Sequence, residues 1–171
     1  MRHPSLTGTE VFFKAEDIIV SKTDLSGRIT YANRTFLTVS EFTEAEVIGK
    51  PHSLIRHPDM PRCIFQLLWK TLQDGQEIFA YVVNRTHLGN HYWVFAHITP
   101  SIGKDGKIGG YHSNRRTPER AILEKTIIPL YRDLKQIEAA SPEAGLQASS
   151  QRLHQVIREH GGDYGRFIFS L

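Results

Sequence analysis

The sequence predicts an α+β fold, a five-stranded antiparallel sheet with short helices on one face, followed by C-terminal helices. Three observations predict it. β-type runs bounded by turn residues lie at 18–31 and again at 77–116. Helical apolar spacing fills the stretch between them, above all at Ile64, Phe65, Leu68, Trp69 and Leu72. Finally, Thr117-Pro118-Glu119 is a helix start, with a residue that can cap, a proline suited to the first turn and an acid that complements the helix dipole. The chain accordingly divides into an N-terminal cap (1–17), a central domain (18–116) and a C-terminal helical output or interaction segment (117–171).

In order, Ile18–Thr23 is a strand, Asp24-Leu25-Ser26-Gly27 a turn, and Arg28–Tyr31 a second strand completing a hairpin. Asn33 caps a short helix that holds Phe36, Leu37 and Val39. Thr43 and Glu46 have capping-box spacing for another, which stops before Gly49-Lys50-Pro51. Residues 52–61 are irregular and polar, and Pro61 opens a longer helix to about Gln73. Runs at 77–86, 91–99 and 107–116 are strands joined by Leu88-Gly89-Asn90 and Lys104-Asp105-Gly106. A helix over 118–139 follows, with a kink or break expected at Pro129. Another runs from Ser141-Pro142-Glu143 to Gly161-Gly162, and the aromatic tail Tyr164–Leu171 is expected to dock as a strand-like segment.

The 171 residues are 40% hydrophobic and 23% charged, which suits one globular domain with an appendage. The single cysteine, Cys63, excludes an intramolecular disulfide and a zinc site built on several thiolates. No window approaches the apolar length of a membrane span, and residues 1–16 lack the core of a signal peptide. A soluble, cytoplasmic protein without membrane insertion is expected. The net charge of +3 arises wholly within residues 1–116 and is too small to argue for nucleic acid. The nine histidines are the odd feature of the composition.

Asp24-Leu25-Ser26-Gly27-Arg28-Ile29-Thr30-Tyr31-Ala32-Asn33-Arg34-Thr35-Phe36 resembles the opening of a PAS sensory domain. Gly49-Lys50-Pro51-His52-Ser53-Leu54-Ile55-Arg56-His57-Pro58-Asp59-Met60-Pro61 is more specific and resembles PAS domains of the bacterial aerotaxis-receptor type. Leu68-Trp69, Asn84-Arg85, His91-Tyr92-Trp93-Val94, Gly110-Tyr111 and Pro129-Leu130-Tyr131 extend the resemblance over roughly residues 18–135. It implies a PAS fold, non-covalent FAD and a report of redox state or oxygen to a chemotaxis-type transducer. One departure is plain: relatives usually carry a tryptophan where this chain has Ile78-Phe79-Ala80. A one-residue offset points Phe79 to the opposite sheet face, so it does not replace that stacking surface.

The resemblance implies flavin contact by Arg56, His57 and Asp59, for which the plainer account is a self-contained loop with Asp59 capping the helix at Pro61. It also points to Asn84, whose amide can both donate and accept at a ring edge, and to Arg115 on the last strand. Trp69 borders the cavity or belongs to the core. Strand alternation puts Arg115 with Ser113 and Tyr111 on one face, and turns His91, His97, Trp93 and Phe95 outward. Of the histidines, His52 and His57 then remain on the cavity side, where either could ligate a haem iron. Three readings stay open: an FAD redox sensor relaying to a separate methyl-accepting chemotaxis-type transducer, a haem b oxygen sensor, and a cofactor-free interaction adaptor. None is an enzyme, since no catalytic group arrangement or protein metal site is legible. The outward aromatic sheet face, the 118–139 helix and the tail are the expected docking surfaces, with a homodimer through the sheet face as the alternative use.

Overall fold

A computed structural model of the chain describes residues 4–171, so residues 1–3 of the expected N-terminal cap lie outside the described residues. Strands β1 (Ile19–Thr23) and β2 (Ile29–Ala32) form the expected hairpin. Its turn is closed by the Asp24 carboxylate, which accepts from the Ser26 N–H at 2.9 Å, the Ser26 hydroxyl at 2.7 Å and the Arg28 N–H at 2.9 Å. Gly27 supplies the left-handed residue at φ 78°. Helix α1 (Arg34–Ser40) starts at Asn33, whose Oδ1 accepts from the Phe36 N–H at 2.9 Å and the Val20 N–H at 3.0 Å. The Asn33 amide also donates to the Ile18 carbonyl at 2.8 Å, so one side chain starts a helix and anchors a strand. Helix α2 (Glu44–Val47) has its capping box, with the Thr43 N–H and hydroxyl donating to Glu46 Oε2 at 2.9 and 2.7 Å.

After a short 3-10 turn at His52–Ile55 comes α3 (Arg62–Gln73), and then β3 (Ile78–Arg85), β4 (His91–Ile102) and β5 (Ile108–Arg116). The sheet order is β2-β1-β5-β4-β3, antiparallel throughout. Ala80 pairs with Ala96, Asn84 with Tyr92, Ala96 with Arg115 and Ile98 with Ser113. Pleating therefore puts Val82, Asn84, Ala96, Ile98, Ser113 and Arg115 on the face under α3, as the alternation predicts. Phe79, Tyr81, Trp93, Phe95 and His97 share the other face.

The C-terminal segment consists of α4 (Arg120–Ile122), a wide π-type turn at Leu123–Ile127, α5 (Ile128–Ala140), α6 (Gly145–Glu159) and α7 (Tyr164–Phe169). Pro129 lies in the first turn of α5, and the break expected there takes the form of the wide turn. The Ile128 N–H reaches back five residues to the Leu123 carbonyl, which widens the helix where the proline ring would otherwise crowd the preceding turn.

Two expectations are corrected. The tail is a helix, not a strand-like segment: Asp163 caps it by accepting from the Arg166 N–H at 2.8 Å, and Tyr164, Phe167 and Ile168 fall at helical spacing. A helix this short does not persist alone in water, so burial of Phe167 and Ile168 holds it. The outward aromatic face is also not free along β3 and β4. The Tyr131 hydroxyl donates to the Tyr81 carbonyl at 2.6 Å, Trp93 packs on Tyr131, and Phe169 meets Phe79 edge-on at 4.8 Å. The chain's own helices pack on that half of the sheet, leaving Phe79, Phe95 and His97 half-buried. At the other end, residues 7–11 run beside the start of β4, with the Val11 N–H donating to the His91 carbonyl at 2.7 Å. Arg120 closes on Glu10 at 2.7 and 3.3 Å, tying this segment to α4. Among the described residues no helix is long and apolar enough to cross a membrane.

Asn33→Ala removes the α1 cap and both strand bonds, and we expect it to destabilise the fold by about 1–2 kcal/mol. Urea unfolding checks this: the midpoint should fall at constant slope, and an unchanged midpoint would mean that the cap contributes nothing.

Candidate functional site

Between α3 and the inner sheet face lies a cavity of about 330 Å³. Its size falls at the lower end of small-molecule sites. Leu68, Trp69 and Leu72 from α3 and Val82, Ala96 and Ile98 from the sheet make its apolar walls. The Trp69 indole lies close over Gly27, where an added Cβ would come within 3.4 Å of the ring. Trp69 stands edge-on to Tyr111 at 5.3 Å. It packs in a small core cluster and lines the cavity as well, so both readings of this residue apply.

The polar wall comes from β1, β3, β5 and the turn at His52. Arg115 is 3% exposed, and its Nη2 donates to Ser21 Oγ at 2.9 Å and to His52 Nε2 at 2.7 Å. Neither partner is a carboxylate, so a guanidinium is buried without a counter-charge in its hydrogen-bond set. Burial is the larger influence and pushes its pKa down to about 10. Asn84 is 3% exposed. Among the described residues, Asn84 Nδ2, Arg115 Nη1, Ser113 Oγ and Thr23 Oγ1 are buried without a hydrogen-bond partner. All four belong to residues that line the cavity. Unpaired buried polar atoms cost roughly 1–3 kcal/mol each, so four at one cavity mark a surface built for a ligand's polar edge.

The cavity sets an apolar wall at Leu68, Leu72 and Ile98 against a polar one at Asn84 and Arg115, a contrast that a flavin ring would fit. Arg56 lines the cavity half-buried, with its guanidinium 4.1 Å over the Phe65 ring and its backbone bridged to Asn84.

The other two residues of that motif stand apart. His57 is buried but outside the cavity lining, facing His91 at 5.6 Å. Asp59 is exposed, its carboxylate 3.7 Å from His57 Nδ1, and its N–H donates to that nitrogen at 3.2 Å. Nor does it cap α3, whose N-cap is Pro61 with no side-chain bond. These two residues shape the loop that presents Arg56. His52, considered above only as an iron ligand, is instead the hydrogen-bond acceptor that fixes Arg115. The sequence reading put Ser113 on the face of Arg115 but missed Ser21 and Thr23 as its neighbours; the β1–β5 register that brings them together joins residues about ninety apart. Cys63 lies outside the cavity, and burial raises its thiol to about 11. Phe79 faces away, stacked on His97 at 4.1 Å.

Burial, then the Arg115 charge, lowers the His52 pKa from 6.5 to about 3. The unfolded chain takes up a proton there near its usual value and the folded chain does not. This contribution to stability is complete above pH 6.5 and is lost as pH falls toward 3, by up to about 1.4 kcal/mol per unit. His57, lowered chiefly by burial, adds to the same slope. We expect His52→Gln, which keeps an acceptor for Arg115, to flatten the loss of stability between pH 6.5 and 3 in urea titrations. A slope equal to the parent's would show that His52 is protonated in the fold.

Comparison with known proteins converges on the same architecture. A family model described as the PAS fold matches residues 29–114. The chain is 41% identical over 165 residues to the aerotaxis receptor of Escherichia coli K12, covering 96% of this chain and 30% of that protein. It is 30% identical over 115 residues to a nitrogen fixation regulatory protein of Klebsiella pneumoniae, 67% of this chain and 23% of that one. The chain thus spans less than a third of these curated relatives. Among solved structures, a light-oxygen-voltage domain studied with a flavin analogue superposes with a TM-score of 0.57 at 17% identity, over 68% of this chain and 87% of that one. The light-oxygen-voltage domain of the blue-light photoreceptor aureochrome1 does so at 0.56 and 15% identity, over 72% and 93%. At such identities the superpositions speak for the fold alone. With its five-stranded sheet, its cavity under α3 and a family model spanning half its length, the chain belongs to the PAS-fold family.

Proposed function

We propose that this chain is a flavin-binding sensory domain that holds FAD, responds to redox state or oxygen in the cytoplasm, and relays the response to a chemotaxis-type transducer. The observation that carries the reading is the set of unpartnered buried polar atoms on Asn84, Arg115, Ser113 and Thr23 around one cavity. The likeness to an aerotaxis receptor supports the direction of the proposal.

The bound flavin supplies the redox chemistry. The protein's part is binding, orientation and electrostatics. Asn84 Nδ2 offers a donor at the polar edge, and Arg115 Nη1 offers a donor carrying a full positive charge. Because Arg115 is desolvated, that charge favours whichever ligand state is richer in electrons. His52 and Ser21 hold the guanidinium in place so that it does not reorganise when the ligand's charge changes. Trp69 and Leu68 exclude water from the apolar side. We read this as a sensor's site and not a catalyst's, since each polar residue holds or orients and none is poised to attack.

Haem is the competing cofactor, but His52 Nε2 already accepts from Arg115, and iron ligation would strip that guanidinium of an acceptor in a buried place. His57 lies off the cavity. A homodimer built on the β3–β4 face would first have to displace α5 and α7, so the exposed half of the sheet, around Lys22 and Tyr31, is the surface open to a partner.

The purified chain is expected to show the two absorption bands of oxidised flavin and no Soret band. Arg115→Leu and Asn84→Ser should each weaken FAD binding by about tenfold or more, measured by fluorescence titration. Undiminished FAD binding in both variants would sink the site assignment, and a Soret band would replace the proposal with its haem alternative.

A further inference from the structure

Glu138 lies on α5, outside the cavity, and its side chain is only 3% exposed. Its Oε1 accepts from the N–H of Cys63 at 3.0 Å, seventy-five residues away, and from the Ser149 hydroxyl of α6 at 3.3 Å. Helix α3 has no cap of its own. The C-terminal segment thus supplies the carboxylate that satisfies the N-terminus of the cavity helix and complements its dipole. Oε2 lies 3.5 Å from Lys135 Nζ. From the other side, α6 begins at Gly145, where a Cβ would sit 2.5 Å from the Glu138 carbonyl oxygen. Three helices therefore meet at one residue with no room between them. Arg56 joins the group electrostatically: burial holds its pKa down, and the Glu138 charge opposes that.

We propose that Glu138 is a positioning residue that couples the cavity helix to the C-terminal segment, so that what fills the cavity sets how firmly α5–α7 are held on the sheet. Helix α3 presents Phe65, Leu68, Trp69 and Leu72 to the cavity, so a ligand pressing on this wall shifts the helix as a unit. The Cys63 N–H moves with it, against a carboxylate that is buried, so the loss of this donor is costly. Strain there passes to α5 through Glu138 and to α6 through Ser149 and Gly145. The ligand-dependent half of this inference rests on the sensory reading above, whereas the mechanical link does not.

Amide hydrogen exchange on the full chain tests it. Without ligand, Glu138→Ala is expected to speed exchange about tenfold, both at the start of α3 and across α6 and α7, while Glu138→Gln, which keeps an acceptor oxygen, restores most of the protection. Gly145→Ala, which presses α6 away without altering the carboxylate, should loosen the same segments. Acceleration confined to the start of α3, with α6 and α7 unchanged in these variants, overturns the link.

With FAD added, protection at the start of α3 and across α6 and α7 should change together in the parent chain. In Glu138→Ala the response should stop at α3, and the absorption bands of the bound flavin should shift and return with Glu138→Gln. A response of α6 and α7 that survives Glu138→Ala overturns the coupling. Failure of the parent to bind FAD overturns the sensory reading and the ligand-dependent half, and the ligand-free comparison still decides the mechanical link.

Discussion

The two-residue alternation of β3, β4 and β5 is the constraint on which everything else depends. It sends Val82, Asn84, Ala96, Ile98, Ser113 and Arg115 toward α3 and leaves Phe79, Tyr81, Trp93 and Phe95 for the C-terminal helices. A slip of one residue would put the aromatic set into the cavity and the polar set under α5, so register is specified from both sides at once. The two faces are claimed differently, one by a polar-walled cavity and the other by aromatic packing against the C-terminal helices. The central place of β5, paired with β1 and β4, is what lets Arg115 reach Ser21 and His52 together.

Local structure was largely legible in the sequence. Asn33, Thr43 with Glu46, and the Asp24 turn act where their chemistry says they should, because each is a contact between near neighbours. The strand boundaries and the two sheet faces followed from apolar runs and alternation. What could not be read was anything that depends on chain segments meeting at a distance. The β1–β5 register, which gathers Ser21, Thr23, Ser113 and Arg115, joins opposite ends of the domain. His57 and Asp59 lie next to Arg56 in sequence yet turn away from the cavity, since the loop bends after the bridge to Asn84. The tail is the instructive error: its aromatic content suggests a strand, but the spacing of Tyr164, Phe167 and Ile168 is helical and an aspartate stands ready to cap it.

The cavity is also unusual in its electrostatics. A guanidinium at 3% exposure normally meets a carboxylate, and here it meets a hydroxyl and an imidazole kept neutral by the same burial. The neutrality of His52 is what makes the arrangement tolerable, because a second positive charge at 2.7 Å would expel one of the pair. The polar wall is therefore one unit: its histidine, serine and arginine have meaning only together, and Arg115 Nη1 is the buried donor that the unit leaves without a partner.

Helix α7, clasped over Phe79 and Phe95 by Phe169, makes the protein its own first competitor. A tethered segment acts at an effective concentration in the millimolar range for a short linker, whatever the concentration of the protein. Any outside partner for that aromatic surface must therefore outbid a neighbour that never diffuses away. Small changes in the grip of the helix would then alter apparent affinity for the partner without altering a single residue of the surface it recognises.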